Sequence, residues 1–98
     1  MATINWTSES EQWLKDIYDY IAIDNPKAAL RIVEGIYKKV QLLHRFPEMG
    51  YKYERKIDLN IRILLYGHYK IAYLVKPDKN IDILGVFHDA LKIDRYLM

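Results

Sequence analysis

The chain has 98 residues, 51% of them hydrophobic and none of them cysteine. This suits a single domain over 1–98 in a reducing, cytoplasmic setting, and it excludes a disulfide scaffold, a cysteine-based zinc site and a cysteine nucleophile. The formal net charge is only +2; the N-terminus lacks the features of a signal peptide, and the longest apolar run, "IRILLYG", is too short to span a bilayer, so no membrane role is expected.

"TINW" alternates Ile4 and Trp6 with polar residues and predicts a short first strand. Ser8 followed three residues later by Glu11 reads as a capping box opening a helix. Trp13, Leu14, Ile17 and Ile21 mark one face of that helix, which ends near "IDNP". Asn25 is a natural cap for a second helix with Pro26 in its first position, running to about Arg45. Ala29, Val33, Ile36, Val40 and Leu43 form its apolar seam, and the short connection predicts an antiparallel helix hairpin. Gly35 lies inside the second helix, where it either permits close approach of the two helices or is incidental. "FPEMG" ends the helical half.

The charge along these helices is uneven. Glu9, Glu11, Asp16, Asp19 and Asp24 oppose Lys15, whereas Lys27, Arg31, Lys38, Lys39 and Arg45 oppose Glu34. Either the two helices neutralise each other side by side, or a basic surface awaits an acidic or phosphate partner. Charge alone favours neutralisation.

Three extended runs follow, "LNIRILL", "YKIAYLV" and "IDILGVFH", with a possible short strand in "YKYERK" before them. The fold class is therefore α+β: an N-terminal strand, an antiparallel two-helix hairpin, then a three- to four-strand antiparallel meander. A two-residue loop at Gly67 would mix charged and apolar residues on both faces of the first hairpin. A three-residue "YGH" loop instead pairs Leu65 with Tyr69 and collects Ile61, Ile63, Leu65, Tyr69, Ile71, Tyr73 and Val75 on one face, so this register is expected. The other face then carries Arg62, Leu64, Lys70, Ala72 and Leu74. Such a mixture suggests a cover that is apolar and acidic, supplied by a partner or by the C-terminal "DALKIDRYLM".

Taken together, "INW", "SEQWLKDIYDYIAIDNPKAALRIV", "FPEMG", "GHYKIAYLV" and "IDILGVFHDA" resemble the RelE/ParE superfamily of bacterial toxins over nearly the whole chain. The "DNP" junction, "PEMG" and the "YKIAY…ILGVFH" pair look most like its ParE branch. The resemblance implies the toxin of a type II toxin–antitoxin module, neutralised by a cognate antitoxin that wraps it. ParE-like members inhibit DNA gyrase, and RelE-like members are ribosome-dependent mRNA endoribonucleases. Under the nuclease alternative, Arg62, Lys70 and His88 are the catalytic candidates, cations for the phosphorane-like transition state and a histidine for proton transfer. Asn60 and Asp89 depart from that pattern, so the gyrase poison is the leading reading and a metal-independent mRNA interferase the alternative. A relative that only binds its antitoxin is a third. The antitoxin is expected over Arg62, Leu64, Lys70 and Leu74.

His44, His68 and His88 do not stand at metal-ligand spacing and the four glycines form no phosphate loop, so neither metal nor cofactor is expected. The facing of His88 depends on the last turn. A four-residue "PDKN" loop pairs Lys76 with Ile81 and turns Leu84, Val86 and His88 toward the helices, as a structural strand end. A "PDK" loop pairs Val75 with Ile81 and turns Asp82, Leu84, Val86 and His88 outward. The first register is preferred.

Overall fold

A computed structural model describes residues 3–55 and 58–88. The elements are β1 (Ile4–Trp6), α1 (Ser8–Ala22), α2 (Pro26–Gln41) with a 3-10 turn at Leu42–His44, β2 (Tyr51–Lys52), β3 (Ile61–Tyr66), β4 (Tyr69–Val75) and β5 (Ile81–His88). Helix α1 is capped by Thr7, one residue before the expected cap. Thr7 is extended, and its hydroxyl accepts from the Ser10 amide at 3.1 Å while donating to the Ile83 carbonyl at 2.6 Å. One side chain thus caps the helix and ties it to β5. The expected capping residue Ser8 lies in the first helical turn, and buried Ser10 donates its hydroxyl to the Thr7 carbonyl. Asn25 does cap α2, accepting from the Ala28 amide at 3.1 Å, with Pro26 in the first turn.

The sheet runs β1-β5-β4-β3-β2; β1 is parallel to β5 and the other neighbours are antiparallel. The helices cover one face. Leu14, Ile36, Val40 and Leu43 pack there against Leu64, Ile71, Tyr73, Ile81, Ile83 and Val86. The close neighbour of Gly35 is the Tyr66 hydroxyl of β3, not α1: a Cβ on Gly35 would collide with it.

The first hairpin corrects the expected register. Tyr66 pairs with Tyr69, Leu65 with Lys70, Leu64 with Ile71 and Arg62 with Tyr73, around a two-residue Gly67-His68 turn. Gly67 has φ 56°, the left-handed conformation a tight hairpin turn asks of its first central residue. Arg62 and Leu64 therefore share the helix-side face with Ile71 and Tyr73, and Lys70, Ala72 and Leu74 lie on the other. The cleaner partition fails because both faces of this sheet bury apolar residues. Tyr53, Ile61, Ile63, Ala72 and Phe87 form a second core, joined by Trp13, Leu74 and Leu84.

The last hairpin divides the two registers considered for it. Val75 pairs with Ile81 and Leu74 with Asp82, yet Ile71 pairs with Val86 and Tyr69 with His88. A β-bulge between Ala72 and Tyr73 absorbs Leu84 and switches the facing midway. Ile81 and Ile83 point to the helices as one register requires; Val86 and His88 do so as the other requires. Leu84, expected on the helix side, joins the second core instead.

Beyond the bulge, Gly85 leaves room for Phe87, whose ring meets Trp13 edge-on at 4.7 Å between centroids. A Cβ on Gly85 would stand 2.5 Å from Phe87 Cζ. Gly85→Ala is expected to cost about 1–3 kcal/mol by overpacking, read as a lower urea midpoint at unchanged slope.

Candidate functional site

The segment 47–50 is held by two side chains from neighbouring strands. Tyr73 is fully buried; its hydroxyl donates to the Pro47 carbonyl and accepts from the Gly50 amide, both at 2.9 Å. Burial raises the Tyr73 phenol above its ordinary pKa, and the Gly50 amide partly offsets this. Opposite Tyr73, the Arg62 Nη1 donates to the carbonyls of Glu48 at 3.1 Å and Gly50 at 2.8 Å. Its Nη2 meets the Glu48 carboxylate at 3.1 Å, and its Nε donates to Asn60 Oδ1 at 3.2 Å. Only 17% of the Arg62 side chain is exposed. Gly50 has no room for a side chain, since a Cβ would lie 2.7 Å from the Ile63 carbonyl and 2.8 Å from the Tyr73 hydroxyl. "PEMG" is thus a loop moulded onto Arg62 and Tyr73.

The four residues expected to meet an antitoxin on one face do not lie together. Arg62 grips the 47–50 loop, and Leu64 is buried under the helices. Lys70 and Leu74 remain on the opposite face, both partly exposed. The nuclease trio is divided in the same way, because Arg62 and Lys70 project from opposite faces of the sheet.

His88 ends β5 with its ring 6.1 Å from that of His68 in a near-parallel stack and 5.6 Å from Tyr69, edge-on. It borders a cleft of about 600 Å³ lined also by Trp13, Asp16, Ile17, Tyr20, Ile21 and Tyr69. Sequence reasoning missed this cleft. Its signal was the continuation of the α1 apolar stripe to Tyr20 and Ile21, beyond the last residue that the sheet buries. Burial raises the Tyr69 phenol as well. Among the described residues, no helix is long and apolar enough to cross a membrane.

The family model for the ParE toxin of the type II toxin–antitoxin system parDE matches residues 4–92. The chain belongs to the ParE toxin family. This ParE-family chain is also similar in structure to a chain of the chromosomal ParDE system of P. aeruginosa, at TM-score 0.73 and 26% identity, covering 90% of this chain and 96% of that one. A chain of the toxin–antitoxin complex RelBE2 from Mycobacterium tuberculosis shares the fold at TM-score 0.61 and 18% identity, covering 89% and 96% of the two chains. No curated protein matches the chain in sequence. The expected RelE/ParE-like architecture and its ParE branch are thereby established for this toxin.

The loop clasp makes its own predictions. Arg62→Met leaves two loop carbonyls without a charged donor and is expected to cost about 2–3 kcal/mol; Tyr73→Phe is expected to cost about 1–2. Because both hold one loop, the double variant should lose less than the sum in a denaturation cycle. The raised Tyr73 pKa stabilises the fold fully below the unfolded value near pH 10, and that contribution is lost as pH rises through the folded pKa. Tyr73→Phe should therefore flatten the fall in melting temperature above about pH 10.

Proposed function

We propose that this ParE-type toxin acts in the cytoplasm by inhibiting DNA gyrase as a protein-binding poison, and that a cognate antitoxin neutralises it. The observation that carries the reading is the separation of Arg62 from Lys70. Cleavage of RNA without a metal needs several cations around one phosphate. Here one candidate is committed to a loop with its guanidinium on Glu48 and Gly50, and the other emerges from the far face of the sheet. The ParE branch of the family supports the same target. For the antitoxin, the surface left on the outer sheet face is Lys70 with Leu74, and an acidic, partly apolar segment suits it.

Induction of the chain without its antitoxin, followed by pulse-labelling, tests the target. DNA synthesis is expected to fall first, with an SOS response, while translation continues. Early collapse of protein synthesis with cleaved mRNA would instead establish the interferase alternative. Normal growth and undisturbed synthesis would leave only a chain that binds its antitoxin.

A further inference from the structure

The outer edge of β3 is left partly unpaired. The Tyr53 amide donates to the Ile61 carbonyl at 2.8 Å, and the Val75 amide to the Asn60 carbonyl at 2.9 Å. Antiparallel ladders alternate, so the odd residues of β3 turn their backbone groups toward β2 and the even ones toward β4. Strand β2 reaches only as far as Tyr51, opposite Ile63. The next residue facing that way is Leu65, and the register sets Met49 opposite it. Met49 turns aside, its amide donating to the Phe46 carbonyl at 3.1 Å. The Leu65 N–H and C=O thus have no partner among the described residues. Around them Met49, Tyr51 and Leu65 are 41%, 50% and 53% exposed. They rim a hollow of about 260 Å³ that Lys39 of α2 also lines. Lys39 is half-buried, and no ion pair or side-chain hydrogen bond engages its ammonium among the described residues. The expected neutralisation by α1 does not reach it, since the ion pair of α1 is internal, Lys15 to Asp19.

These features select an occupant. A free peptide donor and acceptor on a strand edge take an extended polypeptide, which neither a phosphate backbone nor a lipid supplies. The apolar hollow takes one of its side chains, and the Lys39 ammonium takes a carboxylate beside it. A second copy does not fit. Two-fold pairing of one Leu65 with the other would set Gly67 of each copy opposite Ile63 of the other, a place that Tyr51 already fills. Across the sheet Leu65 pairs with Lys70, so the edge is continuous with the Lys70 and Leu74 surface that suits the antitoxin. That continuity selects the antitoxin over the poisoned protein. We propose that the antitoxin adds an extended strand to β3 here, pairing its backbone with Leu65, seating an apolar residue in the hollow and placing a carboxylate on Lys39. That the occupant is the antitoxin rests on the proposed function; the free edge and its chemistry do not.

Amide hydrogen exchange of the full chain, read residue by residue by NMR, is the test. In the free toxin the Leu65 amide is expected to exchange freely, while that of Leu64, paired with Ile71, is protected. With the purified antitoxin bound, exchange at Leu65 should slow by about tenfold or more. Lys39→Gln should keep its melting temperature and weaken antitoxin binding by about tenfold, an effect that shrinks as salt is raised. Lys38→Gln, at an exposed lysine outside the hollow, should leave binding unchanged. A complex in which Leu65 still exchanges freely overturns the proposal while the antitoxin reading stands. So does protection of Leu65 in the free chain, because the edge would then be filled without a partner. Protection by purified DNA gyrase and not by the antitoxin overturns it as well. Unchanged affinity of Lys39→Gln, or an equal loss from Lys38→Gln, counts the same way. Absence of any complex with the antitoxin overturns both the edge and the antitoxin reading.

Discussion

A phenol buried to the depth of Tyr73 must satisfy both a donor and an acceptor away from water, and the 47–50 segment supplies both. That requirement joins the two halves of the chain, since the segment closes the helical half and Tyr73 belongs to the central strand of the sheet. It also decides the neighbourhood. With the loop seated on Tyr73, its carbonyls face Arg62, and a charged side chain that would be costly on the helix-covered side acquires a full set of acceptors. Gly50 follows from the same contact, because any larger residue would push the loop off the ring. A residue expected at the reacting centre or on a docking face is spent on architecture.

The helical half was legible in the sequence and the sheet register was not. The seam of Ala29, Ile36, Val40 and Leu43 repeats at helical spacing and is buried as that spacing requires. Asn25 and Pro26 announce a helix start by local chemistry alone. The first cap was misplaced because Ser8 and Glu11 satisfy the local rule equally well; Thr7 prevails through the Ile83 carbonyl, far along the chain. Strand facing was argued from parity, and parity presumes one buried face and an unbroken ladder. Neither condition holds. Two cores share the sheet, and the bulge at Leu84 reverses the alternation within β5. The two readings of His88 were each right for half of a strand.

The same misreading shaped the candidate site. Arg62 and Lys70 seemed neighbours only in the register that placed them on one face. Their charges were visible in the sequence, but their separation is a property of the Gly67 turn, settled by backbone twist rather than by side-chain polarity. The converse holds for α2. Its cations can be counted in the sequence, but that no ion pair engages them among the described residues is seen only in the structure.

The parallel pairing of Ile4 with Ile81 has a consequence for how the molecule comes into being. During synthesis β1 emerges first, and its partner is the last of the described strands to follow. The Thr7 cap waits for the same strand. Local helix formation can begin early, but its stripe has nothing to pack on until the meander is complete, and such long-range closure is slow. The parallel edge of the sheet and the helix cap tied to it are therefore completed only after β5 has emerged.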